Sequence, residues 1–436
     1  MEASLVKQPA LGLHGTAPRA AGPGSGSRGL RLAFYSHDSY GLGHFRRCLL
    51  LARHIREQLA GVEVLIVTGS PRAFFYSTPA HCEIVTIAPV TKNAKGEYVS
   101  RNLGSTLEET IRLRKKQIRE AVHHFRPDIF VVDHAPSGLR GELLPLLADL
   151  KFAGHTELVL GMRDVIDDPN RVRETWKRDG TYRLLDEVYD QIWVYGCKEV
   201  FEVDKIYGMS KRVQEKLIYL GYLRRVRAQG TPSPVAGAFP SPDRPHLVCV
   251  VGGGGDGYPL AKSFLRMLAE REDLWNGTLV TGPFLSREKR NRLLERFGQN
   301  KNVQLLRFTS HLEELLSEAD LVVTMGGYNA VMEAVCTGKP VVIVPRVFPR
   351  KEQWLRAQAF QGLRLVSSLD PDRLDVDSLA ESVRSGFNNP LPPDPDSCGL
   401  RLDGIENFLA GVEAFRRRIR TAGEDQYNVR SFKKRS

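Results

Sequence analysis

Short β-branched runs separated by helical stretches recur from Arg31 onward, and this alternation is what most constrains the fold. The runs are Leu32–Tyr35, Val62–Val67, Glu83–Ile87, Ile129–Val132, Leu158–Leu160, Ile192–Tyr195 and Leu217–Leu220. Strands with helices between them build βαβ units and a mostly parallel sheet. From Arg227 to Pro245 the rhythm stops: Pro232, Pro234, Pro240, Pro242 and Pro245, with Gly230 and Gly237, resist both helix and strand. It restarts with Leu247–Val251, Thr278–Val280, Val303–Leu306, Leu321–Thr324, Val341–Val344 and Leu365–Val366. The expectation is an α/β chain of two doubly wound domains facing each other across a cleft. The first spans 29–226, a Pro-rich linker spans 227–245, and the second spans 246–388.

The ends read differently. Residues 1–28 are rich in Gly, Ala and Pro, with too few bulky apolar groups to offset the entropy of ordering, and are expected to be a flexible tail. Arg19 and Arg28 give it a loose likeness to a transit peptide, without an amphipathic helix to support that. Residues 389–436 open with a second Pro-rich break, Pro390 to Pro395. Ile405, Phe408, Val412, Phe415 and Ile419 then repeat at helical spacing, which predicts an amphipathic helix packed on the body, followed by a basic tail.

Composition narrows the class. With 42% hydrophobic and 26% charged residues, disorder and a disulfide scaffold are poor descriptions of the whole. The six cysteines form no C-x-x-C pair and read as reduced and structural. No apolar run approaches the ~18 residues of a membrane span, so a cytoplasmic protein is expected. The balance of 62 basic against 51 acidic residues, +11, favours an anionic partner.

Ligands of open α/β sheets bind beyond the carboxyl ends of the strands. The first strand runs into Ser36-His37-Asp38-Ser39-Tyr40-Gly41-Leu42-Gly43-His44, followed by a helix whose Phe45, Leu49, Ala52, Ile55 and Leu59 share a face. Gly41 and Gly43 allow close approach, and His44 sits at a helix N-terminus, where exposed N–H groups favour negative charge. A base and an anion site then adjoin. In the second half, Val251 opens into Gly252-Gly253-Gly254-Gly255-Asp256-Gly257, a phosphate cradle by composition. It satisfies G-x-G-x-x-G, but no acid ends the next strand to hold a ribose, and no Lys-Ser or Lys-Thr follows. Nicotinamide, flavin and P-loop readings fail on those grounds.

The most informative stretch is Thr324-Met325-Gly326-Gly327-Tyr328-Asn329-Ala330-Val331-Met332-Glu333. A strand ends at a Gly-Gly turn and a helix begins near Asn329, with Asn329 and Glu333 on one face. Such a turn suits a diphosphate, while Glu333 accepts from ribose hydroxyls. After the next strand, Arg346, Arg350, Lys351 and Arg356 offer charge to phosphate, and Glu352 or Gln353 offers hydrogen bonds to hydroxyls.

Taken together, Gly41–His44, the Gly252–Gly257 turn and the Gly326–Glu333 plus Arg346–Gln353 block resemble GT-B glycosyltransferases, and within them family 28. The resemblance covers roughly Arg31 to Leu369. It implies two Rossmann-like domains, the first acceptor-side and the second binding a nucleotide sugar. It also implies that Glu333 grips the ribose, Gly326 and Gly327 lie near the diphosphate, Gln353 reads the donor sugar, His44 is the histidine of the first glycine loop, and Arg224 lies near the donor phosphates. Gly253, Gly254, Gly255, Tyr328, Asn329, Arg346, Arg350 and Glu352 complete the donor set. The second-half turn departs from the family's Gly-Gly-Ser type, which leaves the substrates open.

The implied reaction is an inverting transfer of a sugar, hexosyl or N-acetylhexosaminyl, from a nucleoside diphosphate, UDP in the first instance, to a hydroxyl. His44, Asp38 or Asp133 acts as base. Helix N-termini and arginines replace a metal, no cofactor is implied, and D-x-D strings at 370–372, 375–377 and 394–396 are not read as ligands. The acceptor is open, a lipid-linked one at the inner face of an anionic membrane among the choices. Rivals are a nucleotide-sugar hydrolase, suggested by Gly41-Leu42-Gly43-His44 followed by Arg47-Cys48-Leu49, and a non-catalytic anion- or membrane-surface binder. The latter would use Arg112, Arg114, Lys115, Lys116, Arg119, Arg126 and Arg416–Arg420, though such a run is usually a solvated face. No nucleic-acid module is recognisable.

Overall fold

The computed structural model describes residues 29–37, 43–93, 97–101, 104–224, 239, 241, 243–253, 255–309, 311–389 and 391–433. The tail 1–28, Asp38, Gly41, Gly254 and most of the 227–245 linker lie outside the described residues. In chain order the strands are β1 (Leu30–Ser36), β2 (Val62–Thr68), β3 (Cys82–Thr86), β4 (Val90–Lys92), β5 (Tyr98–Ser100), β6 (Ile129–Asp133), β7 (Glu157–Arg163), β8 (Gln191–Tyr195) and β9 (Leu217–Tyr219). The second half adds β10 (His246–Val250), β11 (Asn276–Val280), β12 (Val303–Leu306), β13 (Leu321–Thr324), β14 (Val341–Ile343) and β15 (Ser367–Ser368).

The first sheet is parallel throughout, in the order β3-β2-β1-β6-β7-β8-β9, and so is the second, β12-β11-β10-β13-β14-β15. Each winds outward from its middle, so chain direction across the sheet reverses between β1 and β6 and between β10 and β13. At such a reversal the two outgoing loops turn to opposite faces and leave a crevice. Those loops are the ones the glycines mark.

The central strands are buried on both faces, Leu32 to Tyr35 having no exposed surface. This is why they read as unbroken apolar runs. One apolar cluster crosses from half to half, joining Phe34 and Trp193 to Val248, Val322, Tyr328 and Phe360. The helix Gly404–Lys433 returns to the first half, where Phe408 stacks on Phe34 at 6.0 Å between ring centroids and meets Trp193 edge-on at 5.0 Å. Gly411 permits that approach, since a Cβ there would lie 2.8 Å from the Trp193 ring. The apolar stripe ends at Ile419, which is exposed.

Three expectations change. The last strand is Ser367–Ser368, not Leu365–Val366: the Leu365 N–H bonds back to Phe360 O, so this apolar pair packs in the turn before the strand. The hairpin of β4 and β5 was not anticipated, because its three-residue strands are too short for a periodic signal. Arg114 does not belong to a solvated face: it is fully buried, paired with Glu142 and donating to Ala88 O. Asp370 and Asp375 accept from backbone N–H groups as helix caps. No described helix is long and apolar enough to cross a membrane.

Candidate active site

Register alone brings the first catalytic candidates together. Ser36 of β1 lies beside Asp133 of β6, so the acid closing β6 faces the helix Gly43–Gln58 that follows β1. His44, the second residue of that helix, holds its Nδ1 2.6 Å from Asp133 Oδ2. One turn on, Arg47 donates from Nε to Oδ1 at 2.9 Å and from Nη2 to Oδ2 at 2.8 Å. Burial alone would raise the Asp133 carboxyl, but the Arg47 charge and the His44 bond overcome it and hold the group far below the usual carboxylate range. Arg47 Nη2 also lies 2.9 Å from His44 Nδ1, but it donates to Asp133 Oδ2 at 2.8 Å. The shorter contact of Nδ1 is to the carboxylate, which only accepts, so the His44 proton is assigned to Nδ1 and Nε2 keeps its lone pair. Asp133 is 1% exposed with both oxygens engaged, which suits an orienting acid better than a base.

Beside this cluster is a cavity of about 300 Å³ between the halves, walled by His44, Arg46 and Arg163 from the first and by strand-end loops of the second. Gly326 adopts φ +88°, a left-handed conformation that favours glycine, and a Cβ there would press on Ile343 and Gln353. It turns the chain so that Gly327, Tyr328, Asn329 and Ala330, at the start of the helix Tyr328–Val335, line the cavity. Gly252 and Gly253 line the cavity, whereas Gly255 is not part of its wall. Gly282 brings the next loop against this one, a Cβ there falling 1.9 Å from Gly252 O.

Several expected ligand residues are already partnered. Glu333 is buried and accepts from Arg46 Nη2 at 3.1 Å across the cleft. The Tyr328 hydroxyl donates to Tyr195 O at 3.0 Å, making this residue a pin between the halves rather than an open ligand group. Asn329 Nδ2 donates to Gly43 O at 3.3 Å. Arg346 bonds Asp256 at 3.0 Å, and its N–H donates to Gln353 Oε1 at 2.9 Å.

Glu352 and Arg356 form the seam. Arg163 forks onto Glu352 at 2.8 and 3.4 Å, and Arg356 bonds Glu352 at 3.2 Å and Asp164 at 3.1 Å. Burial would raise the Glu352 carboxyl, yet Arg163 and Arg356 hold it down to about 2. Glu352 is therefore not left to sugar hydroxyls, nor Arg356 to phosphate, because the helix Glu352–Gly362 enters the joint between the halves at its first turn. Arg350 is exposed, outside the cavity wall. Arg224 is exposed beyond β9 with its charge acting on Cys336, away from the cavity, because the chain there turns to bridge Asp403.

Sequence reasoning missed Arg46, Arg163 and the wall made by Phe284, Phe308 and Leu312, and it named Arg47 only within the string that follows His44, with no role of its own. Arg47 had a signal: a lone charge in an apolar helix stripe, at i+3 from His44. Arg163 and the aromatic wall had none. Among the described residues, no group of three His, Cys, Asp or Glu side chains is placed to hold a metal ion.

Residues 247–399 match the glycosyltransferase family 28 C-terminal domain. The chain is a glycosyltransferase carrying that domain. An uncharacterized glycosyltransferase of Methanosarcina mazei is 26% identical over 325 residues, 70% of this chain and 77% of that one. The UDP-N-acetylglucosamine–N-acetylmuramyl-(pentapeptide) pyrophosphoryl-undecaprenol N-acetylglucosamine transferase of a Sulfurihydrogenibium species is 25% identical over 153 residues, 34% of this chain and 41% of that one. The crystal structure of the kitacinnamycin glycosyltransferase superposes with a TM-score of 0.57 at 17% identity, covering 89% of this chain and 99% of that one. A UDP-N-acetylglucosamine 2-epimerase structure from Listeria monocytogenes gives 0.57 at 12%, covering 88% and 96%. At those identities the structures establish the shared GT-B fold.

Arg47→Ala leaves a buried carboxylate without its main counter-charge, and urea unfolding at pH 7 should show a loss of roughly 3–5 kcal/mol. Because the folded Asp133 carboxyl lies below its unfolded value of about 3.9, its stabilisation is complete above that value and fades as pH falls toward the folded one. The difference between the two proteins should therefore shrink on acidification below about pH 4; a constant difference would mean that Arg47 acts by packing alone.

Proposed function

We propose that this glycosyltransferase moves a sugar from a nucleoside diphosphate, with UDP as the first choice, to a hydroxyl acceptor, with inversion at the anomeric carbon. The observation that carries this reading is His44, fixed on Asp133 and opening onto the cavity beside the Gly326–Gly327 turn. His44 Nε2 takes the acceptor proton while the acceptor oxygen attacks the anomeric carbon. The bond to the β-phosphate oxygen breaks, and its electron pair leaves with the diphosphate. Backbone N–H groups at the start of the helix Tyr328–Val335 and the Arg346 guanidinium meet the growing negative charge, so the chain supplies the stabilisation itself. Glu333 takes ribose hydroxyls by exchanging its Arg46 partner for them.

The acceptor approaches from the first half, and we propose that this half touches an anionic membrane. In the helix Leu144–Ala153 the inner face holds Leu146, Leu147 and Leu150, while Leu144, Ala148 and Phe152 face outward, Phe152 being 96% exposed. The neighbouring helix Leu107–Phe125 lies alongside, tied by Arg114 to Glu142 and by Arg119 to Asp149, and adds exposed Leu113, Arg112 and Lys116. An apolar stripe edged with cations suits a surface of anionic headgroups over acyl chains.

Steady-state kinetics on a panel of nucleotide sugars tests the transfer. His44→Ala should lower kcat by roughly 10²–10⁴ with little change in donor KM. Glu333→Ala should raise donor KM by ~10–100-fold with kcat nearly intact, as loss of a hydrogen bond to a charged group does. EDTA should leave both unchanged. Full kcat in the His44 variant would remove it as the base, and rapid release of free sugar without acceptor would make the enzyme a hydrolase.

The membrane contact is read by co-sedimentation with phosphatidylglycerol-rich vesicles. Phe152→Asp should weaken binding by ~10-fold or more, since burying a Phe contributes about 1.5–3 kcal/mol. Equal binding to neutral phosphatidylcholine vesicles, or none to either, would dismiss it.

A further inference from the structure

We propose that Arg163 is a positioning residue that aims His44 through the ring of His134 and makes that aim depend on the seating of the donor-binding half. The inference rests on the reading of His44 as base. Asp133 Oδ2 at 2.6 Å and Arg47 Nη2 at 2.9 Å both meet His44 at Nδ1, so they fix that one nitrogen but leave the ring able to swing about it. The second constraint is a flat neighbour: the His134 ring stacks on His44 at 5.3 Å between centroids, with 24° between planes.

His134 is itself held in an unusual way. It adopts φ +69°, a left-handed conformation uncommon for a residue with a Cβ, and its N–H bonds Gly161 O at 2.7 Å on β7. Its Nε2 lies 2.9 Å from Arg163 Nη2. A guanidinium only donates, so Nε2 accepts and the ring proton is on Nδ1. Burial first, then the Arg163 charge, keeps this ring neutral well below the ordinary histidine range. A neutral ring can lie flat on the base without repelling the proton that His44 must accept.

The same guanidinium forks onto Glu352 of the second half. Glu352 shares Arg356, whose Nη1 also donates at 3.0 Å to Gly326 O, the carbonyl of the turn read as holding the diphosphate. An unbroken line of contacts thus runs from that turn through Arg356, Glu352, Arg163 and His134 to His44. Bonds to the seam hold Arg163, and Arg163 holds the plate behind the base. If the halves part, Glu352 leaves, and the guanidinium loses the fork that fixes its plane.

Arg163→Ala and His134→Ala, made in the full chain, test this by kinetics. Each should lower kcat by roughly 10–100-fold, the scale of a base misplaced by about 1 Å, with donor KM within about twofold. The double variant should be no slower than the slower single variant, because both break one line. Arg163→Lys keeps a charge for Glu352 but cannot fork to His134 as well, and should be as slow as Arg163→Ala. Full rescue by lysine, or losses that multiply in the double variant, would overturn the proposal. Should Arg163→Ala fail to fold, His134→Phe keeps the ring and removes only the bond to Arg163, with the same loss expected.

A second measurement needs no turnover. Imidazole ¹³C and ¹⁵N relaxation of the ligand-free chain should show the His44 ring ordered in the wild type and mobile in Arg163→Ala, with Nδ1 protonated on Asp133 in both. Unchanged His44 relaxation would refute the link to the base. Absence of turnover with every nucleotide sugar would instead strike the transfer reading.

Discussion

Two parallel sheets must present their carboxyl ends to each other, and a seam of buried charge holds them there. Arg163 and Arg356 meet Glu352 and Asp164 between the halves, Arg356 with no exposed surface and Glu352 nearly so. Ions taken out of water are costly unless each finds close partners, and removing one partner destabilises strongly. Such a seam specifies one relative placement of the halves instead of a range. An aromatic pin adds to it: the Tyr328 hydroxyl donates to Tyr195 O across the joint, and its ring lies between the guanidiniums of Arg47 and Arg356 at 5.6 and 5.5 Å.

The cavity inherits its chemistry from that placement. Two helix N-termini, at Gly43 and at Tyr328, come together at its wall, close enough for Asn329 to bond Gly43 O. Their exposed N–H groups and the surrounding arginines make the space favourable for an anion. The same positive surroundings keep the buried carboxylates ionised and the His37 ring neutral, burial, His44, Arg114 and Arg350 pushing it down to about 3. His44 alone among these rings has a carboxylate on one nitrogen and the cavity beside it.

How much of this was legible follows from what each feature looks like along the chain. Strands buried on both faces must be apolar throughout, so Leu32–Tyr35 and Leu321–Thr324 stood out, and the glycine turns after them marked the crevice. Asp133 could be named as a candidate base but not as the acid that orients His44, since its partners His44 and Arg47 lie 89 and 86 residues away. The Arg163–Glu352 pair spans 189 residues and has no local signature. For that reason Glu352 and Arg356 read as ligands of phosphate and sugar, when packing places them in the joint. Arg114 failed likewise: in a run of basic residues nothing local tells the buried one from the solvated ones.

The central claim is that the hollow between the halves holds a nucleoside diphosphate, its phosphates on the Gly326–Asn329 turn and its ribose on Glu333. Diffraction from crystals of the chain grown with UDP tests it most directly. The diphosphate is expected within hydrogen-bond distance of the backbone N–H groups at Tyr328 and Asn329, with the ribose hydroxyls on Glu333 in place of Arg46. Uridine seated elsewhere, or a cavity still bridged by Arg46 and Glu333 at saturating UDP, would contradict it.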